Sequence, residues 1–169
     1  AMIADNVIAK FEYLYQKWSG KIELAVQYSA ALKHIVHYSC DLTSNTKAHI
    51  RARNNLITLH AAFPFNETIA LHYADILSKI NYKQNISDDI SMMEHLDALS
   101  QTWFQNTEIG FMYARLLRGL AIKYKKDNVA DIFVRRFEQL VFDCFPKDRK
   151  LLLLLANTYF FLLESRLQL

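Results

Sequence analysis

Few residues of this chain have the types and spacing that could do chemistry, and two histidines come first. His34 and His37 are three positions apart, so on a helix their imidazoles would lie one turn apart and could share a metal ion. A structural zinc site needs four ligands, and a pair of histidines supplies only two. We therefore interpret the pair as structural and expect no metal site.

Arg53 and His60 form a second candidate pair, separated by six residues in the segment RNNLITLH. This spacing resembles the Arg-x(4–6)-His pattern of the helical HEPN ribonucleases, a resemblance that implies that Arg and His act on a phosphodiester. With eight Arg and six His in the chain, about one such spacing is expected by chance. The ribonuclease is therefore the alternative hypothesis, and it predicts RNA cleavage that Arg53→Ala and His60→Ala abolish at unchanged thermal stability.

Other signatures of catalysis are missing from the sequence. It contains no Gly-rich phosphate loop, no Ser or Cys in a nucleophile setting and no His-Glu-x-x-His. Cys40 and Cys144 lie far apart and neither belongs to a Cys-x-x-Cys pair, which favours reduced thiols inside a cell. We predict a cytoplasmic protein that is not an enzyme, with no catalytic residues and no cofactor.

The charges of the chain are mixed and almost balanced, with 20 basic and 17 acidic residues and a net charge of +3. Strong steering of nucleic acid needs a larger or more segregated excess, so the charge does not favour a nucleic-acid partner. One basic cluster borders a predicted helix connection, where cations meet the helix dipole favourably, and we interpret it as a solvated turn. It consists of Lys123, Lys125, Lys126, Arg135 and Arg136.

The composition predicts a single all-α domain over residues 1–169, because only three Gly and two Pro interrupt a chain rich in helix-forming residues. The longest apolar run, 151–163, is shorter than the roughly 20 residues that cross a bilayer, so we expect a buried helix and no membrane span. No basic-then-apolar leader opens the chain, and we expect no secretory signal.

The apolar periodicity and the capping residues predict eight helices. Asn66, Asn106 or Thr107, and Asp148 are the expected N-caps of three of them, and Ser44, Ser87 and Asp127 those of their partner helices. The predicted ranges are 3–18, 21–38, 45–62, 67–81, 88–104, 107–125, 128–144 and 148–167.

An internal repeat relates these helices. An aromatic residue, Phe63, Trp103 or Phe145, closes one helix, and an apolar stripe opens the next helix six residues later. A shorter first copy places Trp18 before a stripe that begins at Ile22. The stripes begin 47, 40 and 42 residues apart, so each unit is predicted to be a helical hairpin.

The order of an aromatic residue, Pro, Asn or Asp, and then an apolar helix with a small residue at its middle turn resembles the tetratricopeptide repeat. The period is longer than the 34 residues of that family, and Ala70, Gly110 and Leu152 stand where the family commonly has Trp. The resemblance implies a right-handed α-α superhelix of stacked helical hairpins. It also implies a concave groove, lined by the first helix of each pair, that holds a protein or peptide.

Positions off the apolar stripe would face that groove. Arg115 and Arg118 are one turn apart and could present two guanidinium forks to a carboxylate of an acidic peptide or a chain terminus. The alternative is that both arginines are solvated or pair with nearby Asp and Glu. The predicted groove residues are Tyr28, His72, Asp75, Phe111, Arg115, Arg118, Asn157 and Phe160.

The terminal helix, 148–167, is apolar on every face, which is unusual for the end of a repeat array in water. Two explanations stay open: a further helix that follows Leu169 in a longer protein, or self-association with a second subunit. A sensor or regulatory domain of a larger protein is a second alternative to the binding scaffold.

Overall fold

All regular structure in the described residues is helical. The computed structural model describes residues 2–38 and 47–167, and no strand occurs there. The predicted all-α class with eight helices is confirmed. The helices are α1 (Met2–Lys17), α2 (Ile22–Tyr38), α3 (Lys47–Ala62), α4 (Glu67–Leu77), α5 (Ile86–Thr102), α6 (Thr107–Lys123), α7 (Ala130–Gln139, continued by a π-helical turn, Leu140–Cys144) and α8 (Arg149–Leu167).

The helices group into two compact units. Unit 1, Ala1–Ile76, contains α1 to α3 and most of α4, and unit 2, Leu77–Leu169, contains the end of α4 and α5 to α8. In unit 1, α2 packs against α1 and α3, whereas in unit 2, α6 packs against α5, α7 and α8. The single continuous domain and the right-handed superhelix remain predictions.

The repeat exists as a recurring turn. The side chains of Asn66, Asn106 and Asp148 accept bonds from the amides three residues later, at 3.0, 3.0 and 3.1 Å. The amide of each capping residue also donates to the carbonyl of the aromatic residue three positions earlier, at 3.2, 2.8 and 3.1 Å. Three of the predicted N-caps are therefore confirmed, and each satisfies amides that a helix start would leave without partners.

The first copy of the repeat has the same length as the others, and the predicted register was wrong. Lys21 donates its amide to the carbonyl of Trp18, as each capping residue does, so the equivalent stripe begins at Leu24 and not at Ile22. Tyr28 then corresponds to Tyr73 and Tyr113, ten residues after the aromatic, and all three are buried. Because all three equivalent tyrosines are buried, these three hairpins share one geometry.

The caps of the partner helices differ from those predicted. Asn85, not Ser87, caps α5 by accepting the amide of Asp88 at 2.9 Å. Helix α7 begins at Ala130 without a side-chain cap, so Asp127 does not serve, and Ser44 lies outside the described residues.

Two small buried residues, four positions apart, recur on α2, α4 and α6, whereas Leu152 takes the first of these positions on α8. Gly110 and Ala114 are buried on α6, and a Cβ built on Gly110 would come within 2.6 Å of the ring of Phe145. The ring therefore fills the space that a side chain at residue 110 would need. The contact therefore leaves no room for a side chain at residue 110 unless the ring of Phe145 moves.

The side chain of Lys123 is only 9% exposed and pairs inside unit 2, so the prediction of a solvated cluster was wrong for this lysine. Its ammonium donates to the carbonyls of Asn81 and Gln84, at 3.0 and 2.7 Å, and pairs with the carboxylate of Asp89. Tyr124 donates to the same carboxylate at 2.6 Å. This cluster ties the segment after α4 and the start of α5 to the end of α6.

Helix α8 buries one side only, so the expectation of a buried helix holds for that side alone. Leu151 and Leu155 are buried in unit 2, but Leu152 and Leu153 are exposed. Among the described helices, none combines the length and the hydropathy that crossing a membrane requires.

Candidate functional site

Tyr28 lies almost wholly inside unit 1 and reaches only the wall of a cavity of about 190 Å³ that residues of α1 and α3 also line. Its side chain is only 3% exposed, its ring stacks on Phe11 with centroids 5.2 Å apart, and its hydroxyl accepts a bond from Asn55. The wrong register of the first repeat placed it on the open side of α2. In the corrected register, the equivalent off-stripe positions are Val26, Gln27, Ala30 and Lys33.

His72 and Asp75 lie half-buried on α4, where His72 meets α2. The imidazole Nδ1 lies 2.7 Å from the hydroxyl of Ser29. Burial lowers the pKa of His72, and the positive charge of Lys33 lowers it further. A neutral imidazole is therefore favoured at this position at neutral pH, so it acts as a polar contact and not as a cation.

The buried tyrosines hold polar networks inside each unit. In unit 1, Asn55 bridges the Tyr28 hydroxyl and Glu12, and Arg51 pairs with the same carboxylate. In unit 2, the hydroxyl of Tyr113 donates to Asp97 at 3.0 Å, and Arg136 lies 3.3 Å from the other oxygen of that carboxylate. These networks fix neighbouring helices and have a structural role.

The raised pKa values of two tyrosines predict a loss of folding stability at alkaline pH. Burial raises the pKa of Tyr28 to about 12, and burial together with Asp89 does the same for Tyr124. The unfolded chain loses these protons near pH 10, so the stabilisation is complete below about pH 10 and is lost as the pH rises toward 12.

Absorbance of tyrosinate at 295 nm measures this prediction. Of the nine tyrosines, a group is expected to ionise only above about pH 11, together with loss of the helical circular dichroism. In guanidinium all nine should titrate in one phase, and a single phase near pH 10 in the folded chain would contradict the prediction.

Four of the predicted groove residues share one face of unit 2, between α6 and α8. Arg118 donates from Nη2 to the amide oxygen of Asn157 at 3.2 Å, which joins the two helices. Arg115 is exposed one turn earlier, and Phe111 is half-buried one turn before that. We call this surface, defined by Phe111, Arg115, Arg118 and Asn157, the α6–α8 face.

A shallow cavity of about 210 Å³ lies at the N-terminal end of this face. Phe111 and Met112 supply its apolar wall, and the ammonium of Lys150 lies 4.1 Å from the centroid of the Phe111 ring. Glu108 and Asp148 also line the cavity. It therefore combines an aromatic surface with charges of both signs.

Phe160 lies elsewhere, on the outer side of α8. Its side chain is 62% exposed, and it is one helical turn from Leu163, which is exposed as well. Phe160 was assigned to the groove by its offset from the apolar stripe, which counts positions along one helix only. In the structure, no described helix packs against α8 on the side of Phe160. Phe160 is therefore removed from the α6–α8 face.

The remaining candidates show no assembled centre. The ring of His60 stacks on Tyr73, with centroids 4.5 Å apart, which gives it a packing role, and Arg53 is half-buried on the same helix. His34 and His37 are exposed on α2, and no group of three or more His, Cys, Asp or Glu within the described ranges could hold a metal ion. The ribonuclease hypothesis stays a hypothesis.

The sequence analysis missed two lysines that lie beside predicted groove residues, Lys33 near His72 and Lys150 near Phe111. Lys33 follows Tyr28 by five residues, and the recurring ten-residue step from aromatic to Tyr would have placed it correctly. Lys150 immediately precedes the stripe residue Leu151, and no pattern in the sequence marks it.

Comparison of the chain with protein-family models, with curated proteins and with solved structures gave no match.

Proposed function

We propose that this protein is a cytoplasmic interaction module whose α6–α8 face binds an acidic segment of another protein. The observation that most supports this proposal is the incomplete hydrogen bonding of the Arg118 guanidinium. Its guanidinium donates one bond to a neutral amide, and its buried Nε has no acceptor among the described residues. A buried donor without an acceptor costs free energy, and a carboxylate matches the fork of a guanidinium.

Arg115 and the neighbouring cavity extend the proposed site. Arg115 is exposed, and no ion pair holds it within the part of the chain that is described. Phe111 and Met112 offer an apolar wall for a side chain next to the ligand carboxylate. A segment with one or two acids followed by an apolar residue would therefore use the charges and the wall together.

A peptide fits this face better than a nucleic acid does. Glu108 and Asp148 line the cavity beside Lys150, so a continuous row of phosphates would meet carboxylates there. A peptide carries few carboxylates, so it can place them at the two arginines and keep them away from Glu108 and Asp148. The recurring hairpin turns support a scaffold similar to tetratricopeptide arrays, which present such faces.

Charge reversal at the two arginines is expected to weaken binding of an acidic peptide by at least about tenfold. Each charge-assisted bond is worth roughly 1.5–3 kcal/mol, and 1.4 kcal/mol corresponds to a factor of ten. Fluorescence anisotropy with a fluorescein-labelled decapeptide of Glu, Asp and Phe compares the wild-type chain with Arg115→Glu/Arg118→Glu. A peptide with Gln and Asn in place of the acids should bind neither protein.

The matched control is Lys126→Glu/Arg135→Glu, which changes the net charge equally at two exposed cations of unit 2. It should bind the acidic peptide within about twofold of wild type. Equal weakening by both double variants would mean that overall charge attracts the peptide, and the α6–α8 face would lose its role.

A further inference from the structure

The outer side of α8 carries a continuous apolar seam. Its residues are all exposed and follow one another at steps of three and four, which is the spacing of a coiled-coil contact. Leu151 and Leu155, on the opposite side, are buried in unit 2. We call this set the α8 seam: Leu153, Ala156, Phe160, Leu163 and Leu167.

The α8 seam is large enough for a specific interface. Its four large side chains are 55–77% exposed, and Leu152 and Tyr159 widen it with 47% and 41% exposure. Side chains of this size have a surface on the order of 200 Å², so the six expose roughly 600–700 Å². Stable interfaces bury about 600–1,000 Å² on each partner, and patches of this size seldom face water without a role.

We propose that a second copy of this chain covers the α8 seam with its own α8, running antiparallel. In this pairing, Ala156 lies opposite the partner's Phe160, and Leu153 lies opposite the partner's Leu163. The large ring enters the space above the small residue twice, because the pair is symmetric. A parallel pairing would instead set Phe160 against Phe160 and Ala156 against Ala156, leaving crowding in one layer and a void in the next.

Charge complementarity also favours the antiparallel pairing. Lys150 and Glu164 are 14 residues apart and share one helical position with Asn157, and Lys150 and Asn157 both contact α6, so this column flanks the seam on the α6 side. Reversing the direction of one helix places Lys150 beside the partner's Glu164 at both ends of the seam. In a parallel pair the two copies of Lys150 would lie on opposite flanks of the seam, as would the two copies of Glu164, and no Lys150–Glu164 pair would form between the chains.

Sedimentation equilibrium of the wild-type chain tests the interface. We expect twice the monomer mass at micromolar to millimolar concentration, and a monomer for Phe160→Glu, since a carboxylate cannot be buried in the seam without a partner. The control is Phe104→Glu, an exposed aromatic of unit 2 outside α8, which should remain dimeric. Circular dichroism establishes that each variant is folded.

Charge exchange tests the direction of the helices. Lys150→Glu and Glu164→Lys each place two like-charge pairs in the self-dimer and should weaken it about tenfold. Mixed together, the two variants should form a heterodimer as tight as the wild type, because both contacts then join opposite charges.

Two results would overturn the proposal. A wild-type chain that stays monomeric up to about 0.5 mM would show that no second copy covers the seam, leaving it to another protein or to further sequence. A mixture that associates no better than the separate variants would exclude the antiparallel pairing. Lys150 borders both surfaces, but the peptide experiment changes only Arg115 and Arg118, which lie off the seam, and Phe160→Glu changes only the seam, so these two tests can fail separately.

Discussion

Replacing Lys123 with methionine is expected to lower the free energy of unfolding by about 3–5 kcal/mol. Methionine keeps the length and the apolar stem of the side chain but removes the charge. Asp89, which is 1% exposed, would then hold a buried carboxylate with only the hydroxyl of Tyr124 as a donor from this cluster. The carbonyls of Asn81 and Gln84 would also lose their common donor.

Urea denaturation followed by circular dichroism measures this loss. The control Lys126→Met removes a cation from an exposed position three residues away and should change stability by less than about 0.5 kcal/mol. The double variant Lys123→Met/Asp89→Asn removes the uncompensated charge and should recover part of the loss. A Lys123→Met chain as stable as the wild type would mean that the cluster contributes no net stabilisation.

Replacing Gly110 with leucine is expected to lower the free energy of unfolding by about 2–3 kcal/mol. The first added atom would already lie 2.6 Å from Cε2 of Phe145, and that side chain is itself buried. Leucine would force the ring and the turn that follows it to move. Alanine should cost much less, because its better helix propensity, about 1 kcal/mol, offsets part of the crowding.

A double variant separates crowding from helix propensity. Gly110→Leu/Phe145→Ala frees the space that leucine needs and should be more stable than the sum of the two single changes predicts. Ala98→Leu, at an exposed position of α5, is the control for adding the same side chain to a helix without crowding. Additive effects of Gly110→Leu and Phe145→Ala would contradict the contact.

Much of the local structure could be predicted from the sequence, and the repeated turn shows why. Asn66, Asn106 and Asp148 cap helices by bonds to amides three residues away, and such bonds depend only on neighbouring residues. The apolar stripes likewise identify the buried side of α4 and α6. Residues that act within a few positions of one another carry this information in their order.

The register of the first hairpin shows a limit of such patterns. Ile22, Leu24 and Val26 all permit an apolar stripe, and the apolar residues alone selected the wrong one. Burial selected the stripe that places Tyr28 with Tyr73 and Tyr113. Had the ten-residue step from aromatic to tyrosine been given more weight, Tyr28 would not have been assigned to a groove.

By itself, the sequence determined the all-α class, the eight helices and the recurring capped turn, because propensity, capping and periodicity act over a single helical turn or two. Only the tertiary structure decided that Lys123 pairs with the buried Asp89, that Phe145 occupies the space at Gly110, and that Phe160 faces outward. Each of these depends on which neighbour lies across from a helix. Packing between residues distant in the chain supplies that neighbour, and no short pattern encodes it.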